Sequence, residues 1–205
     1  MKKFLIIIIF LLIITGCRTS DSVLFKLEYE KYNNSNYTNL SIPSNNPFVY
    51  IKDVDLVKKI ENKDDMVVLF GYSKSNDTRN IIDSLINTCN KYKIDKIYYL
   101  DILNIRDLKE IEDGNIVTKK EGSSSYLKIL ELLHDYVNEY IVKNEIVGTR
   151  IYAPSILVIK NKNISFENVK SYLDTKEEQD NDIKTRIDNL LKDYNVNTCD
   201  VNEGC

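Results

Sequence analysis

Met66-Val67-Val68-Leu69-Phe70-Gly71-Tyr72-Ser73-Lys74-Ser75-Asn76-Asp77-Thr78-Arg79 is the stretch that decides the fold. Met66 to Phe70 is a continuous apolar run between Asp65 and Gly71. It is short, rich in β-branched residues and lacks alternation, so it reads as a strand covered on both faces, as in a parallel sheet. A helical pattern follows from about Asn76 to Tyr92, with Ile82, Leu85, Ile86 and Cys89 on its inner face. A buried strand running straight into an amphipathic helix is the front half of a right-handed crossover unit.

The reading extends in both directions. Lys96-Ile97-Tyr98-Tyr99-Leu100 is the next strand. Upstream, Pro47-Phe48-Val49-Tyr50-Ile51 is a short strand, and Asp53 starts a helix with Val54, Val57 and Ile60 on one face. Downstream, Arg106 to Glu112 reads as a helical turn and Asn115 to Lys120 as less regular chain. Leu127, Leu130, Leu133 and Val137 predict a helix over Ser125 to Tyr140. Ile156-Leu157-Val158-Ile159 is a strand, turned by Asn161-Lys162 into the hairpin partner Ile164-Ser165-Phe166. Ile183, Ile187, Leu190, Leu191 and Tyr194 form the stripe of a last helix. The order β-α-β-α-β-α-β-β-α predicts an α/β sandwich with a mixed central sheet.

The chain begins differently. Lys2 and Lys3 precede an unbroken apolar run from Phe4 to Ile14, too short for the roughly 20 residues of a spanning helix. It ends in Ile14-Thr15-Gly16-Cys17, which resembles a bacterial lipobox. That resemblance implies cleavage before Cys17 and a lipid on its thiol, which would hold the protein at the extracytoplasmic face of the cell membrane. Arg18 to about Asn45 is polar and Ser/Asn-rich, with one short periodic patch from Val23 to Tyr32, and reads as a flexible tether with a helical turn or two. The expected division is therefore a signal over residues 1–17, a tether over 18–45, a domain over 46–196 and a tail over 197–205.

Charge and cysteine usage narrow the function. Removing residues 1–17 takes away two lysines and no acid, which leaves 26 basic against 31 acidic side chains, a balance of −5. No basic stripe is present, which argues against nucleic acid as a partner. No metal-ligand cluster, Gly-rich phosphate loop or paired-acid motif stands out, so neither a metal nor a cofactor is expected. Cys199 and Cys205 sit close together near the C-terminus, and an exported location permits a disulfide between them; the other reading is two exposed thiols on a frayed tail. Cys89 falls on the apolar helix face and reads as a buried structural thiol.

The element order is similar to that of thioredoxin, and three stretches carry the resemblance. Val67 to Arg79 resembles the strand, active-site loop and helix start of that family. Ile97-Tyr98-Tyr99-Leu100-Asp101-Ile102 resembles its third strand, and Ile151-Tyr152-Ala153-Pro154-Ser155-Ile156-Leu157-Val158-Ile159-Lys160-Asn161 its cis-proline loop and following strand. Asn46-Pro47-Phe48-Val49-Tyr50 and Asn104-Ile105-Arg106-Asp107 further resemble exported thioredoxin-like proteins of Gram-positive bacteria.

The departure matters more than the match. Where those proteins carry Cys-X-X-Cys followed by Arg, this chain has Ser75-Asn76-Asp77-Thr78-Arg79. Thiol–disulfide exchange needs a thiolate to attack and a sulfur to leave. A helix N-terminus brings a cysteine into the working range, but it cannot do the same for a serine hydroxyl. Ser75 is a good N-cap and Asp77 suits the first turn, a purely structural role. The resemblance also implies a groove in which Ala153-Pro154, beside Ser75, presents backbone groups to an extended protein or peptide. The competing expectation is an oxidoreductase working through Cys199, Cys205 or Cys89. A third is a small-molecule-binding or accessory module. A serine nucleophile would need a base, and the only histidine, His134, is expected on a helix across the sheet.

Overall fold

The computed structural model describes residues 19–194. In chain order the helices are α1 (Asp21–Glu30), α2 (Asp53–Asn62), α3 (Asn76–Tyr92), α4 (Ser124–Leu132) and α5 (Lys176–Leu191). The strands are β1 (Phe48–Tyr50), β2 (Met66–Gly71), β3 (Ile97–Asp101), β4 (Leu108–Glu112), β5 (Asn115–Lys120), β6 (Asn138–Val142), β7 (Glu145–Arg150), β8 (Ser155–Lys160) and β9 (Asn163–Asn168).

Every residue of β2 is buried because it lies at the centre of a five-stranded sheet ordered β1-β3-β2-β8-β9. β1 and β2 pair with β3 in parallel, while β8 runs antiparallel to β2 and β9 antiparallel to β8. Side chains alternate between the two faces. Val67 and Leu69 join a core with Ile81, Ile82, Leu85 and Cys89 of α3 and Ile183, Ile187 and Leu191 of α5. Val68 and Phe70 join the opposite core with Leu56 and Ile60 of α2 and Ile129 and Leu130 of α4. The result is a mixed α/β sandwich with helices on both faces. Helix ends are set locally. Ser75, Ser123 and Thr175 cap α3, α4 and α5 with their side chains, and Thr175 and Glu178 complete a capping box.

The expected tether over 18–45 is overturned. Its periodic patch is α1, and Phe25 and Tyr29 are completely buried. Phe25 stacks on Phe48 at 3.9 Å and on Tyr29 at 4.3 Å between ring centroids, and meets Tyr99 edge-on at 5.0 Å. The Tyr29 hydroxyl donates to the Tyr99 hydroxyl at 3.1 Å. Leu40 and Ile42 are buried as well. The polar composition concealed two aromatic residues four apart, which is enough to anchor one helical face.

Three expectations between β3 and β8 also change. Leu108–Glu112, inside the expected helical turn, is a strand paired with the supposedly irregular Asn115–Lys120. The helix expected to reach Tyr140 ends at Leu132, and Asn138–Val142 pairs antiparallel with Glu145–Arg150. The cause is turn chemistry. Asp113-Gly114 and Lys143-Asn144 have positive φ at both positions, the backbone of the tight turns that match the twist of a hairpin. The Asn161-Lys162 turn does the same.

Truncating Phe25 to Ala is predicted to lower unfolding stability by about 3–5 kcal/mol, measured as a shift in the denaturant midpoint. A free tether would leave that midpoint unchanged.

Candidate functional site

The loop after β2 carries Tyr72, Ser73 and Lys74 to Ser75, the N-cap of α3. Ser75 Oγ accepts from the Thr78 N–H at 3.1 Å. Ser75 is 7% exposed and Thr78 is completely buried, so the surface at this turn is made by Lys74 and Asn76 instead. Gly71 is required by close approach: a Cβ there would stand 2.6 Å from Thr78 Cγ2. Thr78 Oγ1 is buried without a hydrogen-bond partner.

Sheet register brings the stretch containing Ala153-Pro154 to the same place. Phe70 pairs with Ser155, so Gly71 and Pro154 follow side by side at the edge where β2 ends and β8 begins. The Ala153–Pro154 peptide bond is cis. Pro154 O accepts from the Val169 N–H at 3.0 Å and from Asn168 Nδ2 at 2.9 Å. Ala153 is half-buried, and within the described residues its backbone N–H and carbonyl make no hydrogen bond. Beside this loop is a cavity of about 440 Å3, lined by Asn138, Glu139, Ile141, Tyr152, Asn168 and Tyr172. Tyr172 is 80% exposed. Across the turn, Lys170 Nζ sits 2.9 Å from Asp77 Oδ2, and this hydrogen bond raises the ammonium pKa above its ordinary value. On the other flank Asp101 pairs with Gly71, and burial raises its carboxyl pKa.

Arg79 fixes the geometry of the whole corner. It is completely buried, and all of its hydrogen-bond partners among the described residues are neutral oxygens. Nε donates to Thr38 O at 2.6 Å, Nη1 to Tyr29 O at 2.7 Å and Ser73 O at 3.2 Å, and Nη2 to Asn33 Oδ1 at 2.8 Å. Asn76 Oδ1 accepts from the Thr38 N–H at 2.8 Å, and the Thr38 hydroxyl donates to Asn80 Oδ1 at 2.8 Å. The segment after α1 is thus strapped across the first turn of α3. Arg79 lies three and seven residues before Ile82 and Ile86, on the apolar face of its helix. That misplaced charge was the sequence signal for its role.

The remaining predicted residues are apart from this corner. Cys89 is buried and stands thirteen residues beyond Asn76, about 20 Å along the helix axis. Burial pushes its thiol up to about 12, which keeps it protonated and inert near neutrality. His134 is exposed just after α4, and α4 packs on the opposite face of the sheet from α3. It is not placed to serve Ser75 as a base. Cys17, Cys199 and Cys205 lie outside the described residues. Among the described residues, no three or more His, Cys, Asp or Glu side chains gather as a metal site.

Replacing Arg79 with Met leaves its acceptors without their buried donor. Since a hydrogen bond to a charged group contributes about 1.5–3 kcal/mol, the predicted loss is at least about 3 kcal/mol. Amide hydrogen exchange should then rise first over residues 29–40. Alkaline titration gives a second expectation. The Cys89 thiol and the Tyr126 hydroxyl are both pushed up to about 12 by burial, against about 8.5 and 10 when unfolded. Their contribution to stability is complete below those unfolded values and is lost as pH rises toward 12. Denaturant midpoints should therefore fall above about pH 9, and less steeply in Cys89→Ala.

Comparison of the chain with family models, with curated proteins and with solved structures finds no match.

Proposed function

We propose that this chain is a lipid-anchored, extracytoplasmic protein with a thioredoxin-like domain that binds a protein or peptide segment and does not exchange disulfides. The observation that carries this reading is the chemistry of the β2–α3 turn. In a thioredoxin-like domain the dithiol would occupy the positions of Ser75 and Thr78, and the one described thiol, Cys89, is buried in the last turn of α3. Two hydroxyls cannot store a pair of electrons as a bond, and a serine at a helix N-terminus is not ionised enough to attack a disulfide.

Binding is supported by what surrounds the turn. The half-buried Ala153 offers a backbone donor and acceptor beside Pro154, and the cavity next to it ends in the exposed ring of Tyr172. An extended segment could pair with that backbone and place side chains in the cavity, a recognition mode in which main-chain bonds give affinity and pockets give selectivity. The anchor is supported by the sequence alone, through Lys2, Lys3, the run Phe4 to Ile14 and Gly16-Cys17. The function lies in this site and not in the scaffold.

Two measurements on the full chain test the reading. Native protein should show no insulin reduction above background. Turnover that disappears in Cys199→Ser or Cys205→Ser would replace the binding role with an oxidoreductase. The variant Ser75→Cys/Thr78→Cys should form an internal disulfide by mass, and its Cys at position 75 should ionise below the ordinary thiol range. A pair that never closes would contradict the thioredoxin-like reading.

A further inference from the structure

Helix α1 turns its charges toward the protein and its leucines away from it. Asp21 Oδ2 accepts from the Tyr50 N–H at 3.1 Å. Lys26 Nζ donates to Glu30 at 2.7 Å and to Ile42 O at 2.5 Å, and Glu30 also accepts from the Ile42 N–H at 2.7 Å. Glu28 accepts from the Tyr50 hydroxyl. All four charged side chains of the helix are therefore committed to intramolecular partners. Leu24 is 43% exposed and Leu27 58% exposed, and Lys31 is exposed one turn further on. The spacing of these three residues places them in one stripe.

This stripe lies next to the start of the described chain. Only three residues separate Cys17 from Asp21, and even fully extended they span no more than about 15 Å. α1 covers the β1 edge of the sheet, since Phe25 packs on Phe48 and Asp21 binds the backbone of Tyr50.

We infer that the Leu24–Leu27 face of α1 rests in the membrane interface, so that the lipid-bearing protein lies flat on the bilayer. The inference rests on the lipid-anchor reading of Cys17. Two leucines with a lysine at the end of the stripe suit the boundary between headgroups and acyl chains, with the ammonium reaching toward phosphate. Two leucines are far too little for a stable protein interface, which buries upwards of about 1,000 Å2. A lipid a few residues away changes that requirement. It makes the membrane contact intramolecular in effect, so a weak contact is enough. The other end of α1 carries Tyr29 O and leads to Asn33, both bonded to Arg79. The β2–α3 turn would then be held about one helix length from the anchor, roughly 15 Å, and would meet partners at the bilayer surface.

The test uses the full chain in vesicles of phosphatidylethanolamine and phosphatidylglycerol that contain acyl-chain nitroxide lipids. In a Cys199→Ser/Cys205→Ser background, a fluorophore is attached through Leu27→Cys or, as the control, Tyr172→Cys. Tyr172 follows β9, the opposite edge of the sheet from β1. Lipid quenching should be at least threefold stronger at position 27, and a probe at Lys31→Cys should lose its quenching when Leu24→Ser and Leu27→Ser are added. Equal quenching at 27 and 172, in protein that floats with the vesicles and carries lipid by mass, overturns the docked helix and spares the anchor. Self-quenching at 27 that follows protein density without lipid quenching assigns the face to a second copy and overturns it too. Failure to float overturns both readings.

Discussion

The Arg79 guanidinium is the constraint on which the rest of the structure depends. It is fully enclosed, and its charge is met by the carbonyls of Tyr29, Thr38 and Ser73 and by the Asn33 side chain. A buried charge is tolerated only when such bonds replace water. These acceptors come from α1, from the strap after it and from the loop after β2. One side chain therefore requires three separate pieces of chain to be in place together. Remove any of them and the charge is left in a dry site.

That requirement shapes the candidate site. The strap held by Arg79, Asn76 and Asn80 lies against the first turn of α3, where Ser75 and Thr78 are buried. A thiol chemistry at this point would need an exposed sulfur. This chain has hydroxyls there, and the Ser75 oxygen is engaged with the Thr78 amide. What stays open is one strand to the side, at Ala153 and the cavity bordered by Tyr152 and Tyr172. The corner is thus built to be rigid at the turn and available at the neighbouring loop. That division suits recognition better than reaction.

The central sheet was legible because its strands announce themselves. Met66 to Phe70 and Ile156 to Ile159 are uninterrupted apolar runs, and nothing but burial on two faces accounts for them. That the turn at Ser75 and the loop at Pro154 are neighbours was implied by the thioredoxin resemblance, and the pairing of Phe70 with Ser155 brings the two together. The failures have particular causes. Phe25 and Tyr29 sit in a polar stretch whose composition outweighed two well-spaced aromatics, and so a structural helix read as a tether. Leu127 and Val137 lie at helical spacing, but the Lys143-Asn144 turn pulled the chain after Leu132 into a hairpin. Asp113-Gly114 is among the strongest short hairpin signals, but its flanking strands alternate weakly and so do not read as strands. Arg79 stands on the apolar face of its helix, three and seven residues before Ile82 and Ile86, and a charge in that position is the one sequence sign of the buried network.

The central claim is that this corner binds without reacting. Its most direct test is to record backbone amide spectra of the protein while adding an extended, cysteine-free peptide mixture. The account predicts that perturbations centre on Ala153, Asn168 and Tyr172 and saturate with no change in the oxidation state of any cysteine. Perturbations that avoid Ala153, or that appear only with disulfide-containing peptides and leave them reduced, would contradict it.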